Sequence, residues 1–193
     1  MARTKDFDES EVLAKAIKLF WQKGYNGTSM QDLVDGLGIS RSSIYDTFGD
    51  KHQLYLRALE SYKQEETVKR DQVLHGSLPA REAIRQLMDL TILEMIRDKQ
   101  HKGCFLINSA VEVGSQDKDT NAIICQNERQ LEADFYEVIK SGQSKGEISR
   151  KHDPRALSRF LLNTIVGLRV TGKSATDKAV FADIIHLTMS ILD

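Results

Sequence analysis

The sequence contains few of the residues that build disulfide frameworks, tight turns and large aromatic cores. Its 193 residues include 2 cysteines, 2 prolines and 7% aromatic residues. Two cysteines are too few for a disulfide framework and predict a cytoplasmic protein with reduced thiols. The first residues carry charge but no apolar segment, so we expect no secretory signal. No apolar run reaches the roughly 18 residues that a membrane-spanning helix needs.

What the sequence does contain indicates a helical protein. Hydrophobic residues make up 40% of the chain and charged residues 28%, which is typical of a globular protein with its own core. Stretches rich in Leu, Ile and Ala have charges between them at helical spacing, and we find no strand pattern and no repeat. We therefore predict an all-α protein of one or two small domains. The net charge of −1 does not indicate DNA binding, so any DNA contact must come from local arrangement.

The N-terminal segment, roughly residues 8–57, contains a closely spaced series of helix starts. A helix with an apolar stripe spans residues 8–24, and Ser29 is placed to cap a second helix. Gly38 interrupts that helix, Ser40 at once caps a short third one, and Asp50 caps a longer fourth. Two short helices that are separated by a turn and braced on both sides form a helix-turn-helix unit.

A helix-turn-helix unit places the start of its second helix against base edges in the major groove of DNA. Here Arg41 can pair bidentately with guanine, and nearby hydroxyls can bind bases or phosphates. The flanking helices offer polar groups to the DNA backbone on either side. Each residue alone could be a solvated side chain or a cap, but packing alone hardly explains so polar a helix. The predicted DNA-binding residues are Thr28, Ser29, Gln31, Arg41, Ser42, Ser43, Tyr45, Thr47 and Lys51.

From its start to about residue 60, the chain resembles the TetR/AcrR family of bacterial regulators. The resemblance rests on Ala16, Leu19-Phe20, Gly24-Tyr25, Gly27-Thr28-Ser29-Met30, Leu33-Val34, Leu37-Gly38-Ile39-Ser40, Ile44-Tyr45, Phe48 and Lys51. It implies phosphate contacts from Thr28, Tyr45 and Lys51, and base contacts from residues 41–43. The sequence departs from the family pattern at residues 46–47, where His or an aromatic residue is common.

The resemblance also implies a domain organisation. We predict a DNA-binding domain in residues 1–50, with a linking helix that continues to about residue 68. Residues 69–193 then form a helical domain that dimerises and binds a small-molecule effector.

The last two predicted helices, which begin at Asp153 and Thr176, are apolar over much of their circumference. They either close the core of the chain itself or pair with the same helices of a second copy. The family resemblance favours a homodimer. The predicted interface residues are Leu161, Ile165, Leu168, Ile184, Leu187 and Ile191.

Cys104 is a candidate sensing thiol. It follows Gly103 and begins an apolar segment, so we place it in the first turn of a helix. The partial positive charge there lowers the pKa of a thiol, and His101 and Lys102 add positive charge. Alternatively, Cys104 is only a packed residue, whose pKa apolar burial would raise.

The segment around Cys104 is similar to a branch of the family that includes the repressor of the N-ethylmaleimide reductase operon. The similarity rests on Gly103-Cys104-Phe105-Leu106, Ala110 and Glu112. It implies that Cys104 senses electrophiles and that Lys173 can approach it. The rival hypothesis is a small apolar effector that binds reversibly in the same helical pocket.

The two other functions that we consider are an enzyme and a protein-binding adaptor. Cys104 and His101 form the single nucleophile–base candidate, without a third group to orient them. Neither a phosphate-binding glycine loop nor an H-E-x-x-H motif occurs, and nothing brings the remaining His and Cys residues together. We expect no metal and no cofactor. The sequence predicts a repressor that binds a palindromic operator as a homodimer and is released by an effector or by modification of Cys104.

Overall fold

The computed structural model describes residues 7–174 and 177–193. All regular secondary structure in these residues is α-helical, which confirms the predicted fold class. The described helices are α1 (Glu9–Lys23), α2 (Met30–Leu37), α3 (Arg41–Phe48), α4 (Lys51–Leu74), α5 (Ala80–Arg97), α6 (Phe105–Glu112), α7 (Lys118–Lys145), α8 (Pro154–Thr171) and α9 (Lys178–Ser190). Across the two described ranges, no helix combines the length and the apolar character that crossing a membrane requires.

The predicted caps begin the short helices of the N-terminal segment. The Ser29 hydroxyl accepts from the Asp32 amide at 3.1 Å, and the Asp32 carboxylate accepts from the Ser29 amide at 2.8 Å. This reciprocal capping box satisfies two backbone donors at the start of α2. Gly38 ends α2 at a φ of 73°, a left-handed conformation that favours glycine. The Ser40 hydroxyl then accepts from the Ser43 amide at 3.1 Å and begins α3.

Helix α4 is longer than the predicted linking helix. It begins after the Asp50 cap and continues to Leu74, beyond the expected end near residue 68. Its first half buries Leu54 and Tyr55 in one hydrophobic core, and Leu74 packs into a second core. The polar middle of α4 is thus held between two apolar anchors, which explains why it stays helical.

The two cores do not coincide with the two predicted domains. One core joins α1–α4 to body residues that include Phe105, Leu106 and Val113. The other joins α5, α7, α8 and α9 with the end of α4. The ring of Phe105 forms T-shaped pairs with the rings of Tyr55 and Tyr62, with ring centroids 5.8 and 5.7 Å apart. Helix α6 of the body is therefore part of the hydrophobic core of the head.

The ends of the remaining long helices differ slightly from the predicted ones. Helix α7 spans more than the predicted residues 121–139, because Asp117 caps its start and Gly146 ends it in a left-handed conformation. Thr176, the predicted cap of the last helix, lies outside the described residues. Asp177 caps α9 by accepting from the Ala179 amide at 2.9 Å.

Candidate DNA interface and its connection to the body

Helix α3 is anchored by two apolar side chains and presents polar ones to solvent. Ile44 is fully buried and Phe48 is 4% exposed, so one face of α3 packs into the head. Arg41 and Ser42 are exposed, and the ring of Tyr45 is 47% exposed. The half-buried Ser43 and Thr47 lie between these two faces.

The cap of α3 also organises its neighbouring hydroxyls. The Ser40 hydroxyl lies 2.9 Å from that of Ser42 and 2.8 Å from that of Ser43. Among the hydrogen bonds of the described residues, none involves the guanidinium of Arg41. Its donors are therefore open to an incoming acceptor, such as a base edge or a phosphate.

The structure corrects the expectation for Thr28. Its side chain is fully buried, and its hydroxyl donates to the Gly24 carbonyl oxygen at 2.6 Å. A phosphate cannot reach this hydroxyl without displacing that bond. Ser29 and Gln31, the other residues predicted on this side of α3, are exposed.

Lys51 is the first residue of α4 and lies half-buried beside the turn that follows α1. Its ammonium is 4.3 Å from the centroid of the Tyr25 ring, a cation–π distance. Burial lowers the pKa of Lys51, against the opposing effects of the Glu112 and Asp32 charges. Lys51 thus lies at the start of α4 with its ammonium against an aromatic ring.

Sequence reasoning missed the contact between Glu112 and the turn after α1. The Glu112 carboxylate accepts from the Tyr25 amide at 3.0 Å and from the Asn26 amide at 2.8 Å. Gly24 has a φ of 77°, and a Cβ on it would lie 2.6 Å from a carboxylate oxygen of Glu112. The residues are 86 and 87 positions apart, so no local pattern could have paired them.

A second polar contact joins the head to the body. His52 Nε2 lies 2.5 Å from Asp117 Oδ2, between the start of α4 and the start of α7. Burial opposes ionisation of Asp117, but hydrogen bonds from the Thr120 amide and from His52 outweigh it and lower the pKa of the carboxyl. The head is therefore tied to the body at α6 and at α7.

The structure places Cys104 at the N-cap position of α6, just before the first turn in which we expected it. The residue is 6% exposed, and the Tyr62 hydroxyl lies 3.9 Å from its sulfur. The Lys102 ammonium stacks on the ring of Trp21, 4.4 Å from the centroid, and His101 is exposed. Cys104 is thus buried against Tyr62, and it lines the same cavities as the guanidinium of Arg169.

Lys173 lies next to the backbone that leads into Cys104. A Cβ on Gly103 would lie 2.8 Å from Cγ of Lys173, so the lysine stem crosses this backbone closely. The Lys173 ammonium donates to the Asn108 side-chain oxygen at 2.9 Å. The structure therefore brings Lys173 near Cys104 but directs its amine to Asn108.

A cavity of about 330 Å³ lies among α4, α5, α6, α7 and α8, and Cys104 forms part of its wall. Apolar side chains make up most of the wall, including those of Leu87, Leu90, Ile107, Leu131, Leu162 and Val166. A second, more open cavity of about 680 Å³ lies between α1 and the segment that joins α5 to α6. Cys104 borders both cavities.

Burial also corrects part of the predicted dimer interface. Leu161, Ile165 and Leu168 are at most 5% exposed and pack into the core of their own chain, so they offer no surface to a partner. Ile184 and Ile191 are half-buried, whereas Leu187 is 66% exposed. Other exposed apolar residues on α8 and α9 are Phe160, Val170 and Val180.

Two groups of possible metal ligands occur among the described residues. One comprises His52, Asp117 and Asp119, and the other comprises Asp71, His75 and Asp134. His52 and Asp117 bond to each other, and the buried Asp134 carboxylate is bound by the Arg70 guanidinium at 2.7 Å. Because a member of each group is already paired, neither group argues for a metal.

Comparison with known proteins agrees with this architecture. Residues 12–58 match the family described as bacterial regulatory proteins, tetR family, and residues 80–187 match the tetracyclin repressor-like C-terminal domain. The chain is 34% identical, over the full length of both proteins, to YezE of Bacillus subtilis, an uncharacterized HTH-type transcriptional regulator. It is 28% identical to the HTH-type transcriptional repressor ComR of Escherichia coli, over 89% of this chain and 82% of ComR.

Solved structures share the fold. A cysteine mutant of the TetR family regulator CifR, complexed with a 26-base-pair operator DNA, has a TM-score of 0.88 at 23% identity over all of both chains. The reduced form of NemR from E. coli has a TM-score of 0.87 at 17% identity, over 95% of this chain and 96% of NemR.

The helix-turn-helix head and the helical body define a DNA-binding transcriptional regulator. The chain belongs to the TetR family of bacterial regulatory proteins. This membership confirms the predicted class and leaves no place for the enzyme and adaptor alternatives.

The contact between Glu112 and the turn after α1 yields a first prediction. Glu112→Ala leaves two backbone amides without their charged acceptor, at a cost of about 1–3 kcal/mol. We expect a lower Tm and several-fold weaker binding to operator DNA, because the head loses a contact that orients it. Thermal unfolding and fluorescence anisotropy measure the two effects. Glu137→Ala, an exposed carboxylate on α7, is the matched control. A Glu112→Ala protein indistinguishable from this control would contradict the role of the contact.

Proposed function

We propose that the protein represses transcription from a palindromic operator as a homodimer, in the cytoplasm, and that a signal in the body releases it. The observation that carries this proposal is the capped, polar start of α3, where Arg41 is exposed and Ile44 and Phe48 anchor the opposite face. Relatives named as repressors, such as ComR and BdcR of E. coli, support repression over activation.

The proposed DNA contacts divide into base contacts and backbone contacts. Arg41, Ser42 and Ser43 lie at the start of α3, which would enter the major groove. Tyr45 and Thr47 follow one turn later, whereas Ser29, Gln31 and Lys51 flank the groove. Thr28 is left out, because its buried hydroxyl already donates to Gly24.

Substitutions at Arg41 and Lys51 separate these roles. Arg41→Ala should cost about 1–3 kcal/mol on an operator selected from random DNA, and much less on random DNA, because it removes a bidentate base contact. Lys51→Ala should weaken both complexes alike and reduce the salt slope by about one unit, because it removes a phosphate contact. Anisotropy titrations over a range of salt concentrations measure both effects. An unchanged ratio of operator to random binding in Arg41→Ala would refute its base contact.

We place the dimer interface on the exposed apolar residues of α8 and α9. Leu187 is 66% exposed, and Phe160, Val170 and Val180 add apolar surface on the same two helices. Pairing of these helices with their copies would bury that surface in a four-helix interface. Two heads related by the two-fold axis would then meet half-sites about 34–36 Å apart, or a multiple of that distance.

Charge insertion tests this interface. Leu187→Glu should shift the protein to monomers at micromolar concentration, because the interface would have to bury an unpaired carboxylate. Sedimentation velocity measures the shift. Val68→Glu, which adds the same charge at an exposed site on α4, should leave the dimer intact. A well-folded dimer in Leu187→Glu would rule out this interface.

Two routes of release are compatible with the body. In one, Cys104 is modified. Its thiolate adds to the double bond of an electrophile, with a C–S bond formed and a proton taken up by the adjacent carbon, or hypochlorous acid oxidises it to a sulfenic acid and is reduced to chloride. The position of Cys104 beside both cavities and against the Tyr62 hydroxyl supports this route. In the other, a small molecule binds reversibly in the 330 Å³ cavity.

The cysteine route has a direct test. N-ethylmaleimide or hypochlorite should abolish operator binding in wild type and in Cys125→Ser but not in Cys104→Ser. The reason is that the modified Cys104 side chain would be too large for its site between α4 and α6. Cys125 serves as the matched thiol, because it is half-buried on α7. Equal responses of all three proteins, or none, would remove Cys104 from the release mechanism.

A further inference from the structure

Four charged side chains form one wall of the smaller cavity, the one of about 330 Å³ among α4–α8. The Glu66 carboxylate accepts from the Arg169 guanidinium at 2.8 Å and from the Lys69 ammonium at 2.9 Å. The Glu94 carboxylate lies 3.9 Å from both cations, beyond hydrogen-bond distance. Arg169 and Lys69 therefore share the carboxylate of Glu66 as their hydrogen-bond acceptor in this group.

Arg169 is the deeper of the two cations and has donors to spare. Its side chain is 19% exposed, and in the part of the chain that the structure describes it makes one hydrogen bond, to Glu66. A guanidinium carries five N–H donors, and burial makes each unmet donor costly. Burial opposes the charge of Arg169, but the acidic groups of Cys104 and Glu66 outweigh burial and raise its pKa. The guanidinium thus stays charged beside the cavity.

The carboxylates are less suited to bind a ligand than Arg169. Glu66 already bridges Arg169 and Lys69, and its pKa is lowered by their charges despite the opposing effect of burial. Burial and the charge of Glu66 raise the pKa of Glu94. Arg70, another buried cation on this cavity, is bound to Asp134 at 2.7 Å. The exposed carboxylates of Glu94 and Glu128 also border the cavity, on its solvent side. Among the buried charged groups there, Arg169 keeps the most unpaired N–H donors, and these suit an anion.

The rest of the cavity limits the size and the polarity of the ligand. Most of its wall is apolar, and about 330 Å³ lies at the lower end of the roughly 300–1,000 Å³ of ligand pockets. We propose that the cavity binds a small carboxylic acid, whose carboxylate is held by Arg169 and Lys69 and whose apolar body lies among Leu87, Leu131 and Leu162. This inference names the chemical class of the effector and so rests on the reversible route of the proposed function. The Lys69 side chain is 59% exposed, so it lies on the solvent side of this charged wall.

Matched probes test the class of ligand. Hexanoate, 1-hexanol and hexylamine share one apolar body and differ in their head group. Calorimetric titration of the DNA-free wild-type protein should give a Kd for hexanoate at least about tenfold lower than that for 1-hexanol. A hydrogen bond between charged groups accounts for a difference of this size. Hexylamine should bind more weakly than either. Tighter binding of 1-hexanol or hexylamine, or no binding of hexanoate, would overturn the proposal.

Substitution of Arg169 tests the anchor. Arg169→Gln should weaken hexanoate binding by about tenfold or more and leave 1-hexanol binding unchanged. Arg159→Gln is the matched control, because that guanidinium lies on the outer side of α8 against Glu132, at 3.1 Å. If circular dichroism shows that Arg169→Gln is unfolded, Lys69→Gln, at an exposed site, should still weaken hexanoate binding several-fold. Unchanged hexanoate affinity in the folded variants would overturn the assignment.

Operator release is measured separately, so the two proposals can fail independently. Hexanoate that binds through Arg169 without releasing operator DNA would support the acid site and refute its effector role. Release by N-ethylmaleimide in a protein that does not bind hexanoate would refute the acid site and leave the repressor proposal standing.

Discussion

The architecture depends on one carboxylate that body helix α6 offers to the DNA-binding head. The turn between α1 and α2 leaves backbone amides that no helix satisfies, and Glu112 accepts from two of them, at Tyr25 and Asn26. A charged acceptor with two donors is among the stronger polar contacts available to a protein. Gly24 provides the room for it, since any side chain there would strike Glu112. Helix α6 therefore helps to orient the head, together with the contact between His52 and Asp117 at the start of α7.

Helix α6 also carries the residues that a signal would reach. Cys104 occupies the N-cap position at its start, Ile107 and Ala110 line the 330 Å³ cavity, and Phe105 packs between Tyr55 and Tyr62 in the core of the head. In the proposed release, a ligand in the cavity or a group added to Cys104 would act on the same short helix that ends at Glu112. Because packed cores shift as units, a small displacement of α6 would reach the turn before α2 through Glu112.

The sequence predicted the parts of the molecule that local chemistry determines. Ser29, Gly38 and Ser40 mark real helix boundaries because caps and left-handed turns need particular residues within a few positions. The sequence could not predict which individual side chains are buried within the chain. The buried Thr28 hydroxyl donates to the carbonyl oxygen of Gly24, and Leu161 packs into the core of the chain itself. Both outcomes depend on tertiary packing. The pairing of Glu112 with the head is equally non-local, so the DNA-binding helix could be predicted but its attachment could not.

The most direct test of this account is the rate of backbone hydrogen exchange at Asn26. This residue is exposed, and its amide donates to Glu112 at 2.8 Å, so protection of the amide would report that contact. Nuclear magnetic resonance of the full-length wild-type protein compares Asn26 with the neighbouring exposed Gly27, for which the described residues provide no such acceptor. The account predicts that Asn26 and Tyr25 exchange far more slowly than Gly27. Exchange at Asn26 as fast as at Gly27 would contradict it.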